Sequence, residues 1–251
     1  MTSPGLKGIF RSLRIYHRDT SRHAAMDQLY GSFLKPGDLA FDIGAHVGDR
    51  IAAFRRCGAR VIALEPQPLA HRALRLLYGR DSHVELRAAA CAAEAGTMRL
   101  LVNSTNPTVT TASESFTKAA HGADGWQGQV WDTSMDVPCL TLDGLIAQYG
   151  IPHFTKIDVE GFEAEVLAGL SQPLPALSFE FTTIQRDVAA ACLDRLERLG
   201  SYVFNFALGE SQRLEYDVSC SLNEMRAALR DLPHAANSGD IYALRIESGI
   251  L

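Results

Sequence analysis

The sequence predicts an α/β fold: a mostly parallel β-sheet with helices on both faces. Three observations carry this. From residue 39 onward, short apolar runs alternate with helical stretches of about ten residues, the βαβ rhythm that builds parallel sheets through right-handed crossovers. The first apolar run ends in a glycine turn that leads into a helix, where open α/β sheets bind ligands. The chain has 251 residues, 47% of them apolar, enough to bury roughly 70–75% of its unfolded surface without a staple.

The elements follow in order. Residues 1–36 form a basic extension in which Leu6, Ile9, Phe10, Leu13 and Tyr16 recur at helical spacing. That helix is expected to pack on the core, and its basic side also suits peripheral contact with a membrane. Pro36-Gly37-Asp38 closes the extension, and residues 37–251 form the main domain. Strands are predicted at Leu39–Ile43, Val61–Leu64, Val84–Ala89 and Thr97–Val102, with helices at Ile51–Cys57 and Leu69–Tyr78 between them. Residues 103–136 are rich in Ser, Thr, Asn and Gly and read as an irregular lid or substrate loop. The rhythm resumes with a helix at Leu142–Tyr149, a strand at Phe154–Val159 and a helix at Glu163–Leu170. A strand at Leu177–Phe181, a helix at Val188–Leu199 and strands at Tyr202–Phe206 and Asp240–Ile246 finish the chain.

Composition excludes several classes. A net charge of −5 argues against a partner bound through phosphate neutralisation, so no nucleic acid is expected. No run of 18 apolar residues exists, and Arg11, Arg14 and Arg18 interrupt what a secretory signal would need to keep apolar. The five cysteines, Cys57, Cys91, Cys139, Cys192 and Cys220, are odd in number and scattered, as suits a reducing cytoplasm.

Chemistry concentrates in three places. Asp42-Ile43-Gly44-Ala45-His46-Val47-Gly48 is a strand-to-helix turn whose two glycines allow close backbone approach and whose amides suit an anionic group. The spacing lacks the G-x-G-x-x-G of a pyrophosphate cradle, which argues against a nicotinamide-dependent oxidoreductase. Asp42 welcomes an ammonium group there. Glu65 ends the second strand, 21 residues beyond Gly44, where an acidic residue accepts hydrogen bonds from ribose hydroxyls. A nucleoside with a charged, phosphate-free tail satisfies both, and S-adenosylmethionine is such a ligand. Third, Lys156, Asp158 and Glu160 share one face if their strand stays extended, and a buried row of this kind is rarely there for packing. Asp158, then Glu160, are the first candidates for a general base, with Glu180 a further carboxylate near the end of the next strand.

With these residues in place, the chain resembles the FkbM-type methyltransferase family. The matching stretches are FDIGAHVGD (41–49), VIALEP (61–66), LTLDGL (140–145), FTKIDVEGFEAEVLAGL (154–170) and LSFEFT (177–182), in the family's order. The resemblance covers residues 37–185. It implies a class I methyltransferase (Rossmann-like) fold, with a seven-stranded sheet whose last strand is antiparallel. It also implies S-adenosylmethionine as methyl donor and S-adenosylhomocysteine as product. The acceptor would be a hydroxyl on a sugar, a glycolipid or a secondary metabolite. A non-catalytic binding module on the same fold is the alternative.

By the same resemblance the cofactor is held by Asp42, Gly44, Ala45, His46, Gly48, Glu65, Pro66, Ala90, Cys91 and Asp158. Catalysis falls to Asp158, Glu160, Glu180 and Lys156. The expected acceptor contacts are Asn106, Thr108, Trp126 and Trp131 from the long loop, and Asn237 and Asp240 from the start of the last strand. No resident metal is predicted, although the carboxylates could also hold Mg²⁺. His46 stands where the family often has Asn.

Overall fold

The computed structural model describes residues 4–246. The elements run α1 (Pro4–Arg18), α2 (Thr20–Tyr30), β1 (Leu39–Ile43), α3 (Asp49–Arg56), β2 (Arg60–Leu64), α4 (Pro68–Tyr78), β3 (Val84–Arg87), β4 (Ala90–Cys91) and β5 (Gly96–Val102). After these come α5 (Glu114–Ala120), β6 (Thr133–Leu140), α6 (Leu142–Tyr149), β7 (Phe154–Ile157) and α7 (Glu163–Ala168). The chain ends with β8 (Ala176–Thr182), α8 (Arg186–Leu199), β9 (Tyr202–Leu208), α9 (Leu222–Asp231) and β10 (Ser238–Arg245).

Seven strands form one sheet in the order β3-β2-β1-β7-β8-β10-β9. β10 runs antiparallel to both β8 and β9, and the other pairings are parallel. This is the class I methyltransferase architecture. β1 is buried along its whole length because a strand flanks it on each side and helices cover both faces. Its alternate residues serve different layers: Phe41 and Ile43 pack with Ile157 and Phe179, whereas Ala40 packs with Phe54, Val61 and Phe154. Chain order reverses at β1, so a crevice opens at the carboxyl ends of β1, β2 and β7.

The basic extension is two helices rather than one. Asp19 breaks it, its carboxylate accepting from the Ser21 and Arg22 amides to cap α2. On α1, Ile9 packs with Val47, Ala70 and Ala73, with Leu13 and Tyr16 alongside, so the apolar side docks on α4 as expected. The side chains of Leu6 and Arg18 lie outside the described set. None of the described helices is long and apolar enough to cross a membrane.

Three sequence expectations are corrected. The strand at Thr97–Val102 leaves the main sheet: β5 pairs antiparallel with β6, and β4 completes a separate three-stranded sheet. Residues 103–136 are more ordered than the irregular loop expected. They hold a 3₁₀ turn at Pro107–Val109, then α5 and the start of β6. The strand after residue 154 stops at Ile157, because Glu160 and Gly161 take φ of 57° and 83° and turn the chain away. Among the elements not foreseen is α9, whose start is a capping box in which Ser221 and Glu224 each accept from the other's amide.

Candidate active site

The cleft lies where β1, β2 and β7 end, roofed by α1 and the 3₁₀ turn. Its floor begins at Gly44, with φ of 87°. A Cβ at this position would sit 1.8 Å from the Asp158 carbonyl oxygen, so the two crossing loops leave room for glycine alone. Gly44 and Ala45 both donate their amides to the Leu64 carbonyl, at 3.0 and 2.9 Å. The His46 amide donates to Glu65 Oε2 at 2.7 Å, and the Gly48 amide to the Ala45 carbonyl at 2.8 Å. The expectation that the amides of this turn suit an anionic group is not met at these four positions: each amide already has a partner inside the protein. Gly48 is also outside the cleft, packed where a Cβ would meet Tyr78 and Leu74 at 2.5 and 2.7 Å.

Glu65 accepts from His46 through one oxygen and from the Gln67 amide, at 2.8 Å, through the other. Burial pushes its pKa up to about 7 against the pull of those amides. Asp42 is 1% exposed, its Oδ2 has no partner, and burial pushes it to about 7 as well. His46 lies edge-on to the Tyr16 ring at 5.7 Å, and burial holds its imidazole below the usual value, hence neutral. Pro66, Ala90 and Cys91 line the far end of the cleft, where burial keeps the Cys91 thiol protonated.

The reacting end carries more charge. Lys156 is fully buried, and its ammonium donates to Asp240 at 2.7 Å and lies 3.1 Å from Asp158 Oδ2. Burial opposes that charge, but the two carboxylates outweigh it and raise the lysine pKa. Burial would raise Asp158 too, and here the Lys156 ammonium wins and holds the carboxyl below its ordinary value. Glu160 and Glu180 have no such counter-ion. Burial first, then the Asp158 charge, push both well above the usual carboxylate range. One buried oxygen of each, Glu160 Oε2 and Glu180 Oε2, has no hydrogen-bond partner. Oxygens of Asp158, Glu160 and Glu180 lie within 4.8 Å of one another, a donor set that suits a hard divalent cation.

Glu163 holds the loop that presents these groups. Its Oε1 accepts from the Val159 and Gly161 amides at 3.0 and 3.3 Å.

Of the acceptor residues named from the sequence, Thr108 lines the cleft. The others are placed elsewhere. Asn106 Oδ1 accepts from Arg11, and its amide donates to Gln129. Trp126 stacks edge-on against Phe116 at 5.0 Å, and Trp131 donates its indole N–H to the Val109 carbonyl at 2.7 Å, so both tryptophans anchor the loop. Asn237 sits with φ of 61° in the turn before β10. Asp240 is buried beneath Lys156 and does not line the cleft.

The ionisable cleft residues that were missed are Tyr16, Asp49, Arg50 and Glu210. Arg22, on α2, pairs with Asp49 at 2.7 Å and with Glu210 at 2.6 Å, and its guanidinium lies 4.8 Å from the Tyr16 ring centre. Arg50 pairs with the same two carboxylates. Asp49 and Arg50 directly follow the glycine turn and were within reach of sequence reasoning, whereas no local signal marks Glu210. The cleft is acidic, and both its cations, Arg50 and Lys156, are already paired. It suits a cationic ligand.

Comparison with known proteins agrees in kind. Residues 42–229 match the family described as methyltransferase FkbM domain. The chain is 32% identical over 163 residues to the 31-O-demethyl-FK506 methyltransferase FkbM of Streptomyces tacrolimicus. That match covers 56% of this chain and 62% of the relative, so the chain spans less than two thirds of the relative's length. Among solved structures, the precorrin-6y C5,15-methyltransferase of Geobacter metallireducens GS-15 superposes with a TM-score of 0.47 at 12% identity, covering 90% of this chain and 87% of its own. A TehB-like SAM-dependent methyltransferase from Corynebacterium glutamicum gives 0.47 at 10% identity, covering 94% of each chain.

Proposed function

The chain belongs to the FkbM methyltransferase family, and on that premise we propose that it transfers the methyl group of S-adenosylmethionine to a hydroxyl oxygen of a sugar, glycolipid or secondary metabolite. The observation that carries the oxygen assignment is the pair Glu160 and Glu180, two carboxyls with raised pKa and unpartnered oxygens at the reacting end. The curated relative, named for a 31-O-demethyl substrate, supports the same reading. Residues 37–251 are the catalytic domain in this reading, and residues 1–36 its roof.

The residues fit the cofactor. Asp42, with an unpartnered oxygen, and ionised Asp158 receive its ammonium group. Glu65 keeps free lone pairs for ribose hydroxyls, and Pro66, Ala90 and Cys91 make an uncharged wall for adenine. When bound, S-adenosylmethionine supplies the electrophilic methyl carbon.

The chain contributes position and proton transfer. Holding the acceptor oxygen at attack distance is worth up to about 7–11 kcal/mol in favourable cases. Glu160 or Glu180, in its ionised form, takes the hydroxyl proton, a contribution of about 10²–10⁴-fold. Asp158 serves that role poorly, since Lys156 holds its basicity down. Lys156 keeps Asp158 ionised and in place. The same three carboxylates would hold Mg²⁺ if the acceptor arrives as a chelating diol.

Calorimetric titration of S-adenosylmethionine and S-adenosylhomocysteine tests the cofactor, with an Asp42→Ala, Glu65→Ala double variant in parallel. Micromolar binding that the variant loses supports the site. No binding to the folded protein overturns it. A screen of hydroxyl and amine acceptors, with and without EDTA, then tests oxygen as the acceptor atom; transfer to amines alone overturns that assignment.

A further inference from the structure

The two helices that pack together beside the cleft differ from the rest of the molecule. Residues 1–18 and 66–80 contain seven basic residues, Lys7, Arg11, Arg14, Arg18, Arg72, Arg75 and Arg80, and no acidic one. The whole chain carries −5, so without these seven charges the remainder stands at −12. Elsewhere Arg22, Arg50, Arg55, Arg56 and Arg226 face carboxylates. Lys7, Arg14, Arg72, Arg75 and Arg80 are exposed and take part in no ion pair among the described residues.

Apolar side chains share this face. Phe10 is 60% exposed and Ile15 55% on α1; Leu76 is 82% and Leu77 50% on α4. Four of the ten large exposed hydrophobics among the described residues therefore lie on two helices that touch each other. Arg72, Arg75 and Leu76 line one shallow depression together with Pro66. Cations interleaved with protruding Phe and Leu match the headgroup and acyl boundary of an anionic bilayer. A single-stranded nucleic acid would call for stacking rings, and among the described residues Phe10 is the one strongly exposed large aromatic on this face.

We propose that the outward faces of α1 and α4 dock the protein on an anionic lipid bilayer. The net −12 of the other residues is repelled by the same surface, so the molecule lands in one orientation. α1 brings Tyr16 to the cleft, which fixes the cleft close to the lipid headgroups. The proposal does not depend on which acceptor is methylated.

Vesicle co-sedimentation of the full chain tests it, using phosphatidylcholine alone or with one third phosphatidylglycerol. The wild type is expected to sediment with the anionic vesicles and not the neutral ones, and to be released as salt rises from about 0.1 M to 1 M, where the screening length falls from about 10 Å to 3 Å. Each basic residue near the surface is worth about 1 kcal/mol, a factor of about 5. Arg72→Gln with Arg75→Gln is thus expected to weaken partitioning about 25-fold. Phe10→Ser with Leu76→Ser leaves the charge unchanged and is expected to weaken it about tenfold or more. S-adenosylhomocysteine titration and circular dichroism check that each variant is folded. Failure of the folded wild type to bind anionic vesicles overturns the proposal. So does partitioning that ignores the Phe10 and Leu76 changes while heparin or duplex DNA binds equally well, since that result describes a general polyanion surface.

Discussion

The Lys156 ammonium reaches past β8 to a carboxylate oxygen of Asp240, 2.7 Å away, with both residues buried. Lys156 is opposite Ser178 in the β7–β8 register, and Asp240 is opposite Glu180 in the β8–β10 register, so the ion pair spans two strand spacings beneath the reacting end. It fixes Asp158 from below and gives the lysine no route to solvent.

Removing the lysine leaves two carboxylates facing each other in a buried site. Lys156→Met is expected to cost about 3–5 kcal/mol of stability. Adding Asp240→Asn should return part of that loss. Urea unfolding of the single and double variants measures both, and a single variant as stable as wild type would remove the ion pair from the account.

Asp42 predicts opposite pH trends for the free and bound protein. Its folded pKa is raised from 3.8 to about 7, so the folded state holds a proton that the unfolded chain releases. Its stabilising contribution is present below about pH 4 and is lost as pH rises toward 7. Asp42→Asn should therefore match wild type near pH 4 and exceed it at pH 8, by about 1.4 kcal/mol for every tenfold difference in proton affinity between the folded and unfolded chains. Cofactor binding runs the other way. It strengthens as Asp42 ionises through pH 7 in the wild type and loses that slope in the variant. Calorimetry at several pH values reads both.

Glu160→Gln and Glu180→Gln separate the proton acceptor from its neighbour. The one that acts as base should lose about 10²–10⁴-fold in turnover while S-adenosylhomocysteine binding holds. Its raised pKa predicts a wild-type rate that climbs with pH to a plateau above the normal carboxylate range. Replacing the partner removes a negative neighbour and should move that climb to lower pH.

Gly44→Ala and Gly48→Ala should fail differently. A methyl at Gly44 collides with the Asp158 carbonyl and disrupts the cleft, so cofactor binding is expected to vanish. A methyl at Gly48 meets Tyr78 and Leu74, so the loss is expected first in thermal stability. Paired melting and binding curves distinguish the two.

What could be read from the sequence was the chemistry that lies close along the chain. Asp42, Gly44 and Glu65 sit at strand ends whose apolar runs and glycines mark them locally, and all three line the cleft. Alternation marked most of the strands and helices along the chain, while the seven-stranded sheet with its antiparallel last strand was what the family resemblance implied. Contacts between distant residues were not legible. Asp240 is 84 residues from Lys156, and its partner was invisible until β8 and β10 were paired. Trp126 and Trp131 carry stacking surfaces that serve a loop as readily as a ligand, and the Phe116 ring that claims them is itself in the loop. Two misses had signals in plain view. Met135, Val137 and Cys139 alternate with polar or exposed residues in β6, and Ser221-x-x-Glu224 announces α9.

The pairing of Arg22 with Glu210 has a consequence for the order of biosynthesis. The two residues are separated by 188 positions, so the second leaves the ribosome long after the first. At about 5–20 residues per second, the interval is roughly 10–40 s. Throughout that time α2 has been made while one of the two carboxylates that pair with its Arg22 has not. The Arg22 guanidinium thus has Asp49 as its carboxylate partner early, and the second partner that completes the pairing, Glu210, joins only after β9 has been made.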